Sequence, residues 1–146
     1  LDPIQAAFLS IHLTKLNEWT ARRREIAAAY QAALGENAQH AIIGSHSPEE
    51  SVWHHFVLRA QDREGLKAYF TANGISTDIH YPYAIFDVEP MVSLVSEESI
   101  HKVFGNAQQL AQEVLSLPMG PWMTNEEVAH VSSALGQIPR ELLIGN

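Results

Sequence analysis

The chain contains no cysteine and no apolar run that approaches the length of a membrane span. The missing thiols exclude a disulfide framework, a thiolate zinc site and a cysteine nucleophile, and they suit a cytoplasmic protein. Positive charge is also scarce, because 9 lysines and arginines stand against 17 acidic residues, for a formal net charge of −8. That excess of negative charge opposes non-specific binding to nucleic acid or to an anionic membrane.

The front of the sequence lacks an initial methionine and an export signal. Asp2 is a favourable helix N-cap, and Pro3 suits the first helical position. The chain therefore starts where a helix starts, and we expect it to be the remainder of a longer protein. Its 146 residues suffice for one domain.

Apolar residues recur at helical spacing near the N-terminus. Ile4, Phe8 and Ile11 mark one helical face, and Asn17 offers a second N-cap farther on. The pattern predicts either two helices that meet near Leu16 or one long bent helix.

The middle of the chain predicts short strands. Residues 52–59 and 75–81 alternate in the manner of strands, and residues 115–117 form a short apolar run. Helical patterns separate these segments. The strands are few and short, so we predict an α+β fold in which helices pack on one face of a small, mainly antiparallel sheet of about three strands.

The same patterns divide the chain into three parts. We assign residues 1–34 to a helical connector, residues 35–136 to the α+β body and residues 137–146 to a tail.

Two groups of residues first suggest a metal or phosphate site. Among the eight histidines, His54 and His55 are neighbours, and on a strand they would point to opposite faces, so we predict no metal site. The basic run 22–24 fans over about 100° per residue on a helix, which predicts a solvated face with Glu18 and Glu25 as partners.

The strongest candidate site is the strand end that leads to Pro82. His80 can donate or accept a hydrogen bond, and Tyr81 can hydrogen-bond a hydroxyl or phosphate while stacking its ring. The alternative is a half-buried histidine beside a tyrosine that only covers the sheet edge.

Four blocks in the same order make the chain resemble the DegT/DnrJ/StrS-type aminotransferases. They are LDPIQAAFL at residues 1–9, LNEWTARRR at 16–24, GISTDIHYP at 74–82 and VLSLPM at 114–119. The resemblance implies the small C-terminal domain of a fold-type-I aminotransferase. Such enzymes use pyridoxal phosphate to aminate keto groups of nucleotide-linked sugars, usually with glutamate as the donor, in the synthesis of cell-surface polysaccharides or glycosides.

The resemblance also implies what this chain lacks. The Schiff-base lysine belongs to the large domain of the family, so no catalytic residue is expected here, and the isolated chain should be inactive and should not hold pyridoxal phosphate stably. The partners implied are the missing large domain, a second subunit in a homodimer and the nucleotide sugar, with His80 and Tyr81 as substrate contacts. The alternative function is a non-catalytic binding or assembly module of the same fold.

Overall fold

The computed structural model describes residues 2–43, 51–89, 91 and 97–144. Leu1, residues 44–50, 90 and 92–96, and residues 145–146, which belong to the predicted connector, body and tail, lie outside the described part.

Two helices open the fold. Helix α1 (Pro3–Leu13) begins at Asp2, whose Oδ1 accepts a hydrogen bond from the Ile4 N–H at 2.8 Å. Helix α2 (Leu16–Leu34) follows a short turn, so the N-terminal region is two helices rather than one bent helix. Among the described residues, no helix is long and apolar enough to cross a membrane.

The other helices and strands alternate along the chain. The helices are α3 (Ala38–Ala41), α4 (Arg63–Ala72), α5 (Glu97–Glu113) and α6 (Asn125–Leu135), and the strands are β1 (Phe56–Arg59) and β2 (Val114–Leu117). The two strands pair antiparallel, with Phe56 opposite Leu117 and Arg59 opposite Val114. The predicted α+β class with a small antiparallel sheet is confirmed.

The sheet is smaller than the predicted three strands. Residues 75–81 contribute a single antiparallel bridge, from Asp78 to Ser116. The Asp78 carboxylate accepts the N–H of Ile79 at 2.8 Å, so this backbone donor is paired locally just after the bridge.

The first strand is also shorter than residues 52–59, because Trp53 has a left-handed backbone with φ of 48°.

The core lies between the sheet and the helices α2, α4 and α6. Tyr30, Phe56 and Phe70 are fully buried, and the Tyr30 and Phe56 rings meet edge to face with centroids 5.2 Å apart. The predicted tail adds Ile138 and Leu143 to this core, since both are buried. The body is therefore held together by contacts between segments far apart in sequence.

Candidate functional site

The segment that carries His80 is fixed to the sheet by Ser116. Asp78 and Ser116 exchange two backbone hydrogen bonds, of 3.1 and 2.7 Å. Ser116 is nearly buried, and its Oγ is hydrogen-bonded to His80 Nδ1 at 3.0 Å. The other ring nitrogen, Nε2, lies 3.6 Å from a carboxylate oxygen of Asp78. Both nitrogens of His80 thus have a neighbour that orients the ring.

Three imidazole rings meet in this region. The His55 ring stacks on His80 with centroids 4.1 Å apart and planes 24° apart, and His54 meets His55 edge to face at 4.3 Å. Burial lowers the pKa of His55, and positive charge on His80, His54 and Arg23 lowers it further, while Asp78 opposes them. The His55 ring therefore favours its neutral form, which can both donate and accept a hydrogen bond.

The histidine pair is brought together by an irregular backbone. The strand geometry assumed from the sequence is wrong, because the left-handed Trp53 precedes the pair and both imidazoles line the same cleft. Arg23 Nη1 donates to the carbonyl oxygens of Trp53 and His54, at 3.2 Å each. These contacts hold the irregular backbone that precedes β1, which begins at Phe56.

The basic run is not the predicted solvated face. Each arginine is half-buried, and Arg24 donates to the Ser51 carbonyl at 3.1 Å, while Arg22 donates to the Met123 carbonyl at 2.9 Å. Arg22 also pairs with Glu25 at 3.1 Å, as the sequence predicts. Consecutive residues on α2 point about 100° apart, so each guanidinium reaches a different contact. The three arginines thereby bind two loops, one at residues 51–54 and one at Met123.

These contacts surround a cleft of about 210 Å³, which we call the histidine cleft. Its walls include Arg23, His54, His55, Ser76, Asp78, His80, Ser116 and Trp122.

Of the two predicted contacts, His80 lies in the wall of the histidine cleft, whereas Tyr81 does not line it. The Tyr81 ring is 72% exposed and meets the His80 ring edge to face at 5.5 Å. Arg23, Ser116 and Trp122 were not predicted as members of the site. The sequence marks Ser116 only as part of a family block at residues 114–119, and it marks Arg23 only as part of a charged run.

The histidine cleft is lined by polar groups, and neither of the two lysines whose side chains the structure describes supplies an amine to it. Lys15 is exposed and paired with Glu18 at 3.0 Å, and Lys67 is exposed on α4. Neither lines the cleft. In the described ranges, no three histidine, aspartate or glutamate side chains are placed to hold a metal ion. The chemistry available is hydrogen bonding by imidazole rings, of which His55 favours its neutral form, beside the positive charge of Arg23.

Comparisons with known proteins place the chain among aminotransferases. A sequence model of the DegT/DnrJ/EryC1/StrS aminotransferase family matches residues 1–136. The chain is 37% identical over 135 residues to the erythromycin biosynthesis sensory transduction protein EryC1 of Saccharopolyspora erythraea, covering 92% of this chain and 36% of that protein. It is 37% identical to dTDP-3-amino-3,6-dideoxy-alpha-D-galactopyranose transaminase of Aneurinibacillus thermoaerophilus, covering 94% of this chain and 36% of that one.

A solved structure shares the fold over almost the whole chain. The structure is that of DesV from S. venezuelae in complex with a ketimine intermediate, and it matches with a TM-score of 0.79 and 31% identity. The match covers 94% of this chain and 36% of DesV. The chain thus spans about a third of the length of the relatives that it matches.

Proposed function

The chain belongs to the DegT/DnrJ/EryC1/StrS aminotransferase family, and we propose that it forms the C-terminal small domain of a nucleotide-sugar aminotransferase. The complete enzyme would use pyridoxal phosphate to move an amino group from glutamate to a keto group of the sugar. It would act as a cytoplasmic homodimer in the synthesis of a polysaccharide or glycoside. The observation that carries the proposal is the family match over residues 1–136.

The histidine cleft supports a role on the substrate side. His80 is held by Ser116 at 3.0 Å, and His55 stacks on it at 4.1 Å, so two imidazoles are kept in one orientation before any ligand arrives. A neutral imidazole, the form that His55 favours, suits sugar hydroxyls, which both donate and accept hydrogen bonds. We assign His80 to the sugar, and Tyr81, with its exposed ring beside His80, to the same contact.

The cofactor would be held by the rest of the enzyme. Pyridoxal phosphate supplies an electron sink that carries the amino group, and it needs a lysine for attachment. Lys15 and Lys67 lie outside the cleft, so the described residues do not fit the cofactor by themselves. This chain would bind and orient the sugar, and alone it would be inactive.

Helix α1 presents an exposed apolar face that supports contact with another domain. Ile4, Phe8 and Ile11 are 69%, 61% and 64% exposed, and together with Pro3 and Ala7 they line an apolar groove. Exposed apolar surface of this kind is typical of an interface. We assign this face to contact with the large domain.

The test separates the two half-reactions in the protein expressed from its complete reading frame. We expect His80→Ala to lower kcat/KM for the keto sugar by roughly tenfold to a hundredfold, because an oriented hydrogen bond to the substrate is lost. Amino transfer from glutamate should keep its rate, since that half-reaction does not involve the sugar. Stopped-flow absorbance of the cofactor measures each half-reaction.

Tyr83→Phe is the matched control, because Tyr83 is 66% exposed and does not line the histidine cleft. It should leave both half-reactions unchanged. An equal loss in both half-reactions of His80→Ala would contradict the substrate role of His80. A wild-type protein that accepts no amino group from any donor would contradict the aminotransferase proposal itself.

A further inference from the structure

Trp122 combines high exposure with a fixed position. Its side chain is 78% exposed, yet a Cβ added at Gly120 would lie 2.5 Å from the indole atoms Cε2 and Cζ2. The indole therefore rests directly against the Gly120 backbone. A turn fixes the backbone that carries the indole, because the Met123 N–H donates to the Gly120 carbonyl at 3.1 Å and Pro121 restricts the first central position.

The indole stands between two clefts. It lines the histidine cleft and also a second cleft of about 280 Å³, the α6 cleft, whose walls include Gly74, Glu127 and His130. Ser76 and Pro118 line both clefts as well. The two clefts are therefore adjoining parts of one groove, and Trp122 stands at their junction.

A fixed, exposed indole in the wall of a groove presents a flat apolar face to a ligand. Such a face stacks on planar rings, and base–aromatic stacking tolerates any base because every base has a π-face. We infer that Trp122 is the stacking surface for the pyrimidine base of the nucleotide sugar. This inference rests on the proposed function and adds to it the residue that recognises the nucleoside end.

The base fits this position better than the sugar does. The sugar must reach the reacting centre and is assigned to His80, so the nucleoside lies at the far end of the ligand. Trp122 is much more exposed than the His80 side chain, of which 25% is accessible, as expected for the outer end of the groove. The transaminase of A. thermoaerophilus carries a pyrimidine nucleotide, dTDP, in the name of its sugar.

The experiment measures nucleotide binding in the protein expressed from its complete reading frame, with UDP, dTDP and glucose 1-phosphate as separate probes. We expect Trp122→Ala to raise the Kd for UDP and dTDP by about 5- to 50-fold by calorimetry, because one stacking contact is lost. Binding of glucose 1-phosphate, which has no base, should not change. Gly120→Ala should also weaken UDP binding, since its Cβ displaces the indole.

Fluorescence assigns the effect to one indole. UDP should quench the emission of the wild-type protein and of Trp19→Phe, but the quenching should be lost in Trp122→Phe, which still binds UDP. An unchanged Kd for both nucleotides in Trp122→Ala would overturn the inference while the proposed function stands. So would an equal loss of glucose 1-phosphate binding or a change only in oligomeric state. A wild-type protein that binds neither nucleotide would overturn the inference and the proposed substrate class together.

Discussion

Helix α1 and the body carry apolar residues of the same kinds, but these residues are exposed in α1 and buried in the body. No residue of α1, which the structure describes throughout, is buried, whereas Tyr30 of α2 and Phe56 and Phe70 of the body are fully buried. The α1 helix has an N-cap at Asp2 and a proline in its first turn, so local contacts favour it. An 11-residue helix is still marginal on these terms alone. An apolar stripe in the sequence therefore predicts a helix, but it does not predict which surface packs against the apolar face of that helix.

The largest contrast is expected from removing one phenylalanine in each region. Phe56→Ala should lower the free energy of unfolding by about 3–5 kcal/mol, because it opens a cavity beside Tyr30 and Trp53. Phe8→Ala, at a side chain that is 61% exposed, should change it by less than about 0.5 kcal/mol. Urea unfolding of the 146-residue chain measures both values. Comparable losses would show that α1 packs on the body in solution.

The sequence predicts the parts of the fold that depend on local patterns. Asp2 begins α1 as the predicted N-cap and accepts the hydrogen bond that a cap makes, whereas the second predicted cap, Asn17, lies inside α2. A histidine and a tyrosine at a strand end before Pro82 predict polar tips at the edge of a cleft, and His80 lines the histidine cleft.

The rest of the site depends on contacts between distant segments. Arg23 lies 30 residues from Trp53, and Ser116 lies 36 residues from His80. Alternation along residues 52–59 predicted that His54 and His55 face opposite ways, since a strand was assumed. The left-handed Trp53 breaks that alternation, and no local pattern reveals that a guanidinium from α2 would hold its carbonyl.

A smaller difference in the free energy of unfolding is expected between a half-buried arginine and an exposed lysine. Arg23→Ala should lower the free energy of unfolding by about 1–3 kcal/mol, because the carbonyls of Trp53 and His54 lose a charged donor. Lys15→Ala removes an ion pair with Glu18 whose side chains are 57% and 68% exposed, and it should cost at most about 0.5 kcal/mol. The same urea unfolding measures both. Equal effects would show that the carbonyl contacts of Arg23 add nothing beyond a surface charge.

The smallest effect on the free energy of unfolding is expected from a change of pH. It arises from His55, which lies in the body and not in α1. The pKa of His55 is lowered from 6.5 in the folded state, so between the two pKa values the unfolded chain binds more protons. Stability from this group is therefore complete above about pH 6.5 and is lost as the pH falls through the folded pKa of His55. His55→Phe keeps a ring on His80 without a titrating nitrogen and should flatten this dependence in urea unfolding between about pH 7.5 and 5. The same acid loss in His55→Phe would place the responsible titration on another group of the protein.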